Sequence, residues 1–281
     1  MTVEFRPLCE NLGVEAVGVD LSKPMDDGTF SKLRQAWLDH GIMLFRGQDI
    51  DIPQQKAFVG RFGELWDTFT RTPHPDHPEV SIFSNIKQNG EYIGNPPEDG
   101  TWHSDFFYHQ STAAGSMFYA KEVPPEKGNT HFASMTAAYD ALPEKTKARI
   151  DGLKCNYSLN RDLELVWTDR KQTPEQKAAT PDVVHPVVRT HPETNRKALF
   201  LGFRGTEAAE TEGMPVEKGR QLLDELREFA TQPQFVYTQQ WKPGDAMFWD
   251  NRCTLHRATL FDVDKYDRLC YRVTVRSEQP Y

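Results

Sequence analysis

Cysteine is scarce and unpatterned in this chain. Four cysteines among 281 residues, Cys9, Cys155, Cys253 and Cys270, show no CxxC spacing. That excludes a disulfide scaffold or a Cys-rich zinc module, and the thiols are expected to be reduced in a cytoplasmic protein. No Lys/Arg cluster appears and the net charge is −8, so nucleic acid and anionic membranes are not expected partners. No apolar run approaches the roughly 18 residues a membrane span needs. The N-terminus, Met1-Thr-Val-Glu-Phe-Arg, lacks the basic and apolar regions of a secretion signal. No internal repeat or low-complexity segment appears. What is left is 38% hydrophobic, enough to build one sizeable core.

The chain alternates compact apolar runs with helical patterns. Gly13 to Val19 reads as a strand, Thr29 to His40 as a helix ended by Gly41, Ile42 to Phe45 as a strand, and Ile52 to Phe62 as a helix with Pro53 in its first turn. Residues 66–100 are rich in Pro, His, Asp, Asn and Gly around a strand from Val80 to Phe83, and are expected to form a lid. Strands follow at Ser116 to Val123, Thr130 to Ala133 and Leu153 to Leu159, with helices at Met135 to Ala141 and Pro143 to Ile150. Residues 160–182 read as a second loop over the site. Val184 to Thr190 and Lys197 to Gly202 read as a hairpin, and Val216 to Ala230 as an amphipathic helix. The pattern fits a single domain over 1–281: mainly β with flanking helices, around a double-sheet jelly-roll (double-stranded β-helix, cupin-like) core. It does not fit a parallel βαβ array.

The chemistry concentrates in His103-Ser-Asp105 and His256. On a strand, positions i and i+2 point the same way, so His103 and Asp105 can reach one ion. Two imidazoles and one carboxylate on one face of a metal leave three positions open, which is the ligand set of non-haem Fe(II) oxygenases. HxD alone is a weak pattern. Its setting strengthens it, because Trp102 precedes and Phe106, Phe107 and Tyr108 follow, and a carboxylate among apolar groups needs a compensating cation. Downstream, Asp250, Asn251 and Arg252 end the strand Ala246 to Trp249 with groups able to fix a loop. Arg268 and Arg272 stand four apart in a strand pattern and share a face, about 13 Å apart at about 3.3 Å per residue. Either they meet two anions, or one anion and a structural carboxylate such as Asp250, or they lie on an exposed edge strand. Of the other histidines, His40 closes a helix, His74 or His77 could touch substrate from the lid, and His109 suits packing.

These residues, with Ile42-Met-Leu-Phe-Arg-Gly47, Phe58-Val-Gly-Arg-Phe-Gly63, Gly128-Asn-Thr130 through Leu142, and Trp249-Asp-Asn-Arg252, resemble the family of taurine dioxygenase and 2,4-dichlorophenoxyacetate dioxygenase over most of the chain. The resemblance implies an Fe(II)- and 2-oxoglutarate-dependent dioxygenase with O2 as the second cosubstrate and succinate and CO2 as products. It implies metal ligation by His103, Asp105 and His256, 2-oxoglutarate binding by Thr130, Trp249 and Arg268, and a grip by Arg272 on the acidic group of the prime substrate. Lys127-Gly128-Asn129-Thr130 stands where the family commonly has Gly-Gly-Asp-Thr. After Gly63-Glu64-Leu65 comes Trp66-Asp67-Thr68, without the taurine enzyme's loop histidine.

A small carboxylate or sulfonate is therefore the expected substrate. The aromatic run that includes Phe106 suits a hydrophobic body, so an aryloxyalkanoate-like acid is favoured. A taurine or alkylsulfonate substrate, a desaturase or epoxidase outcome, and a barrel that binds metal and a small acid without turnover are the alternatives. A homo-oligomer, dimer or tetramer, is expected.

Overall fold

Two short strands, β1 (Glu4–Pro7) and β2 (Val14–Val17), lead into helix α1 (Asp27–His40). Asp26 caps α1 by accepting from the Thr29 N–H at 2.9 Å, and Gly41 ends it at φ 71°, a conformation that glycine adopts without strain. Strand β3 (Ile42–Phe45) follows, then α2 (Ile52–Val59). A reciprocal Asp51–Gln54 capping box starts α2. The expected helix is three residues too long, because Gly60–Phe62 tightens into a 3-10 turn.

The computed structural model describes residues 3–66, 73–97, 100–166, 173–202, 205 and 208–281. Parts of both expected lids, residues 67–72, 98–99 and 167–172, fall outside these, and so do Asp67 and Thr68. The described part of the first lid carries more structure than its composition suggests: β4 (Pro73–His74), β5 (His77–Ser84), and a small hairpin of β6 (Lys87–Gln88) and β7 (Glu91–Tyr92). Then come β8 (Ala113–Glu122), β9 (Thr130–Ser134), α3 (Met135–Ala141), α4 (Glu144–Ile150) and β10 (Lys154–Tyr157).

The loop expected over 160–182 is corrected. It contains α5 (Leu159–Val166) and α6 (Pro174–Ala179). Leu159 and Leu163, four apart, are both buried, a helical spacing hidden among charged neighbours. The hairpin around 184–202 is also narrower than expected. Strand β11 (Val183–Pro186) pairs with β10, and only β12 (Val188–Thr190) and β13 (Lys197–Leu199) form the hairpin. Strand β14 (Ala209–Thr211) pairs with the other edge of β10. Helix α7 (Val216–Ala230) buries Leu222, Leu223 and Leu226 as its pattern predicts. The chain closes with β15 (Val236–Gln239), β16 (Ala246–Asp250), β17 (Thr254–Ala258) and β18 (Leu269–Arg276).

The architecture is mainly β with flanking helices. The largest sheet runs β1-β2-β3-β16-β8-β18-β5-β4, and a three-stranded sheet runs β15-β9-β17. All pairs are antiparallel except β2 with β3. Alternation along the central strands sorts the core into layers. Met43, Phe45, Met117, Tyr119, Ala246 and Phe248 pack with Leu33 and Trp37 of α1. Their neighbours Ile42, Leu44, Phe118, Ala120, Met247 and Trp249 pack instead with Phe132 of β9 and with Trp241, between the two sheets. Both faces of these strands are buried, so they read as continuous apolar runs. Gly115 lets the sheet approach α1, since a Cβ there would lie 2.8 Å from Phe248 Cε2 and 3.0 Å from Trp37 Cζ2. Among the described residues, no helix is long and apolar enough to cross a membrane.

Two histidines away from the HxD sequence belong to this packing. His109 sits against Trp66 and Phe106. His185 is buried and its Nε2–H donates to the His109 carbonyl at 2.9 Å. Burial lowers each to about 4, against an ordinary value near 6.5. Between about pH 6.5 and 4 the unfolded chain therefore binds up to two more protons than the folded one. Stability should be complete above about pH 7 and fall as pH drops through that window, with a slope approaching about 2.7 kcal/mol per unit. Urea unfolding at pH 7, 6 and 5 reads this, and His185→Gln should roughly halve the slope. A flat profile from pH 7 to 5 would contradict it.

Candidate active site

His103 and His256 are joined backbone to backbone across an isolated antiparallel bridge. His103 N–H donates to the His256 carbonyl at 3.0 Å, and His256 N–H returns to His103 at 2.8 Å. This brings the rings to 4.3 Å between centroids. The His103 Nδ1–H donates to the Thr101 carbonyl at 2.8 Å, which makes Nε2 the nitrogen able to bind an ion. His256, on β17, is 8% exposed and packs against Phe132 and Trp249.

The HxD sequence is not on a strand, as the i,i+2 argument supposed. Only His103 makes a bridge, and Asp105 opens a turn. Phe106 adopts φ 54°, unusual for a bulky residue. A stack on Trp66, with centroids 4.3 Å apart at 20°, holds it there. Asp105 stands beside the imidazoles without strand pleating to place it there. One ligand atom from each of His103, Asp105 and His256 lies within 4.8 Å of the others.

Asp105 is 5% exposed. Its backbone N–H donates to Asn251 Oδ1 at 3.0 Å. Its Oδ2 accepts from the Ser116 hydroxyl at 2.7 Å. Its Oδ1 accepts from Arg272 Nη1 and faces His256 Nε2 at 3.9 Å. Burial alone would push this carboxyl up. The Arg272 guanidinium, then the two imidazoles and the Ser116 hydroxyl, outweigh it and hold Asp105 at about 2. It is an anion ready to bind a cation.

Thr130, Trp249, Arg268 and Arg272 lie within or against the inter-sheet core. Thr130, on β9, is buried and its hydroxyl accepts from Trp241 Nε1 at 3.0 Å. Trp249 donates from Nε1 to Asn251 Oδ1 at 3.0 Å and lies 4.9 Å from the His256 ring. Arg268, just before β18, is 6% exposed, with its guanidinium 5.4 Å from the Phe118 ring. Among the described residues it has no carboxylate partner, and its Nε makes no hydrogen bond. Arg272 lies 4.9 Å over Phe83. Its carboxylate partner is Asp105, not Asp250. Phe106 packs into the Trp66 stack at 5% exposure, so its evident work is fixing the turn after Asp105.

Asp250 serves a second buried cluster. Arg252 grips both its oxygens, Nε at 2.8 Å and Nη2 at 2.6 Å, and His191 Nε2 stands at 3.0 Å. Burial raises Asp250, but Arg252 and His191 outweigh that and keep it well below the ordinary carboxylate range. His191, Asp250 and Cys253 also stand close enough to hold an ion. There Arg252 already occupies both carboxylate oxygens, and burial pushes the Cys253 thiol far up, so the donors suit an ion poorly. Sequence reasoning missed Ser116, Trp241 and His191, and read Asn251 only as a loop residue. A lone serine inside the apolar run of β8 was the one available signal. A cleft of about 470 Å³, lined by Tyr108, His109, Gln110, Thr180 to Val184 and Gln279, contains none of the three candidate ligands.

Known proteins resemble this chain over almost its whole length. The family model described as "Taurine catabolism dioxygenase TauD, TfdA family" matches residues 4–274. The chain is 37% identical over 276 residues to an alpha-ketoglutarate-dependent 2,4-dichlorophenoxyacetate dioxygenase of Cupriavidus pinatubonensis, covering 94% of each. It is 34% identical to an (S)-phenoxypropionate/alpha-ketoglutarate-dioxygenase of Sphingobium herbicidovorans, covering 92% of this chain and 90% of the relative. A crystal structure of AAD-2 with Mn(II) and N-oxalylglycine superposes with a TM-score of 0.86 at 35% identity, covering 100% of this chain and 98% of that one.

The Asp250–Arg252 pair generates a stability prediction. Asp250→Asn keeps the shape but strands a buried guanidinium. Breaking a buried pair from one side costs about 3–5 kcal/mol. The urea midpoint should fall accordingly with an unchanged slope. A loss below about 1 kcal/mol would show that Glu193, which accepts from Arg252 Nη1 at 2.7 Å, suffices alone.

Proposed function

Because the chain belongs to the taurine catabolism dioxygenase TauD, TfdA family, we propose that it is an Fe(II)- and 2-oxoglutarate-dependent dioxygenase that hydroxylates an aryloxyalkanoate-like acid. The observation that carries this reading is a buried guanidinium without a carboxylate partner among the described residues, Arg268, in the same inter-sheet space as the His103, Asp105 and His256 donors. Two imidazoles and one ionised carboxylate suit Fe(II) and leave room for a chelating acid. Bound iron, with 2-oxoglutarate and dioxygen, supplies the chemistry that releases succinate and CO2 and inserts oxygen at a substrate C–H bond.

The chain's own residues prepare that chemistry. Thr101 fixes the His103 tautomer, so that Nε2 would be the nitrogen offered to an ion. Arg268 and Thr130 hold the far carboxylate of the cosubstrate, beside Trp249. Phe118, Phe132 and Trp249 keep the space dry, which strengthens every charge interaction within it. Arg272 receives the acid group of the prime substrate. One of its nitrogens is on Asp105, while its Nε has no hydrogen-bond partner among the described residues. Hydroxylation beside an ether oxygen would then lead to cleavage of the product. The reading takes the two main sheets as the halves of a jelly roll in one domain, with the segments near 66–100 and 160–182 as lids. It takes the enzyme to be cytoplasmic and homo-oligomeric.

Succinate release with Fe(II) across phenoxyacetates, phenoxypropionates, taurine and neutral ethers tests the substrate class. The aryloxy acids should stimulate release and lose their side chain, whereas taurine and neutral ethers should not. Equal stimulation by a neutral ether would sink the acid assignment. Arg268→Ala should raise the KM for 2-oxoglutarate by a factor of roughly 30 or more, the equivalent of about 2 kcal/mol. An unchanged KM would assign the cosubstrate carboxylate to another residue.

A further inference from the structure

We propose that Asn251, acting through Ser116, is a positioning residue that restricts Asp105 to binding the metal through a single oxygen. The inference rests on the metal reading of His103, Asp105 and His256 given above.

Every polar atom of the Asn251 side chain is committed. Oδ1 accepts from the Asp105 backbone N–H at 3.0 Å and from Trp249 Nε1 at 3.0 Å. Both partners are donors only, so the oxygen must face them and the amide has one possible orientation. Nδ2 then donates to Ser116 Oγ at 3.0 Å. Ser116 has one proton to give, and the Asp105 carboxylate accepts it at Oδ2, 2.7 Å away. Thr274 Oγ1, 3.1 Å from Ser116 Oγ, can donate to the serine's other lone pair. Asn251, Ser116 and Thr274 are all at most 2% exposed, so water does not compete for these bonds.

The result is a closed loop around one residue. Asn251 holds Asp105 by its main chain directly and by its carboxylate through Ser116. Oδ2 accepts from Ser116, while Oδ1, which accepts from Arg272 Nη1, faces His256 Nε2. Sheet register fixes both ends, because Ser116 on β8 stands opposite Trp249 on β16 and Thr274 on β18. Asn251 itself is pinned by its own N–H to the Ala114 carbonyl at 2.8 Å. The amide grip also steadies a turn whose next residue, Phe106, is in the left-handed region, a conformation that persists only when its surroundings over-determine it. A carboxylate that turned to offer both oxygens would take up a coordination position that the cosubstrate or dioxygen needs.

The test uses the full chain and Mn(II) as the probe, with bound ion read by electron paramagnetic resonance. Asn251→Ala and Ser116→Ala, each shown to be folded by circular dichroism, should weaken Mn(II) binding by roughly 10–100-fold. Because Asn251 reaches the carboxylate through Ser116, the double variant should lose less than the product of the single losses. A purely structural role would instead lower the melting temperature and leave Mn(II) affinity unchanged, and that result overturns the proposal. Losses that multiply overturn it as well. If Asn251→Ala does not fold, Ser116→Ala, which removes a single oxygen, decides alone by the same affinity criterion. If the unaltered chain fails to bind Mn(II), the metal reading falls and takes this inference with it, whereas normal binding by the unaltered chain and both variants removes only the inference.

Discussion

The ionised carboxylate of Asp105 is the constraint around which the site is built. Removing a carboxylate from water costs several kcal/mol. A guanidinium at about 4 Å returns about 4 kcal/mol at an effective dielectric near 20. Arg272 therefore roughly balances the burial cost and leaves little surplus. The rest comes from the Ser116 hydroxyl and the neighbouring imidazoles. Each of these partners needs its own support. Ser116 depends on the register of three adjacent strands, and the imidazoles on the backbone bridge between His103 and His256. One buried charge thus couples the central sheet, the turn after His103 and the minor sheet.

Much of this was legible in the chain. Apolar runs such as Ile42 to Phe45 read as strands, and Gly41 marked the end of helix α1, whose start at Asp27 lies two residues before the expected Thr29. The candidate ligands were legible because their chemistry is rare in combination: two histidines and an aspartate, one pair set among aromatics. Arg268 and Arg272 were legible as a pair through period-two spacing. Cys270 between them lies in the inter-sheet core, while Val273 and Val275 face the other layer.

What the chain concealed depends on long-range geometry. The period-two argument for His103 and Asp105 does not apply, since Asp105 opens a turn instead of continuing a strand, yet the two residues still stand together. Helix α5 hides two buried leucines among Asn160, Arg161, Asp162 and Glu164, and its charges find partners only in the fold, as when Arg161 meets Glu210 and Asp182. Ser116 and His191 look unremarkable locally. Their meaning comes from residues 11 and 59 positions away, Asp105 and Asp250, and no local pattern reports such distances.

Charge accounting links the site to the kind of molecule it can hold. Arg268 and Arg272 set two positive charges against the one negative charge of Asp105. A divalent ion on the three donors would bring the excess to three positive charges in a space walled by Phe118, Phe132 and Trp249. Uncompensated charge in such surroundings is costly. A dicarboxylate cosubstrate and a singly charged acid together bring three negative charges, and the buried site then closes neutral. A neutral prime substrate would leave one guanidinium to share Asp105 with the metal. An acid of either sulfonate or carboxylate type satisfies the charge, so the body of the substrate has to be selected by the apolar walls and by the segments that cover them.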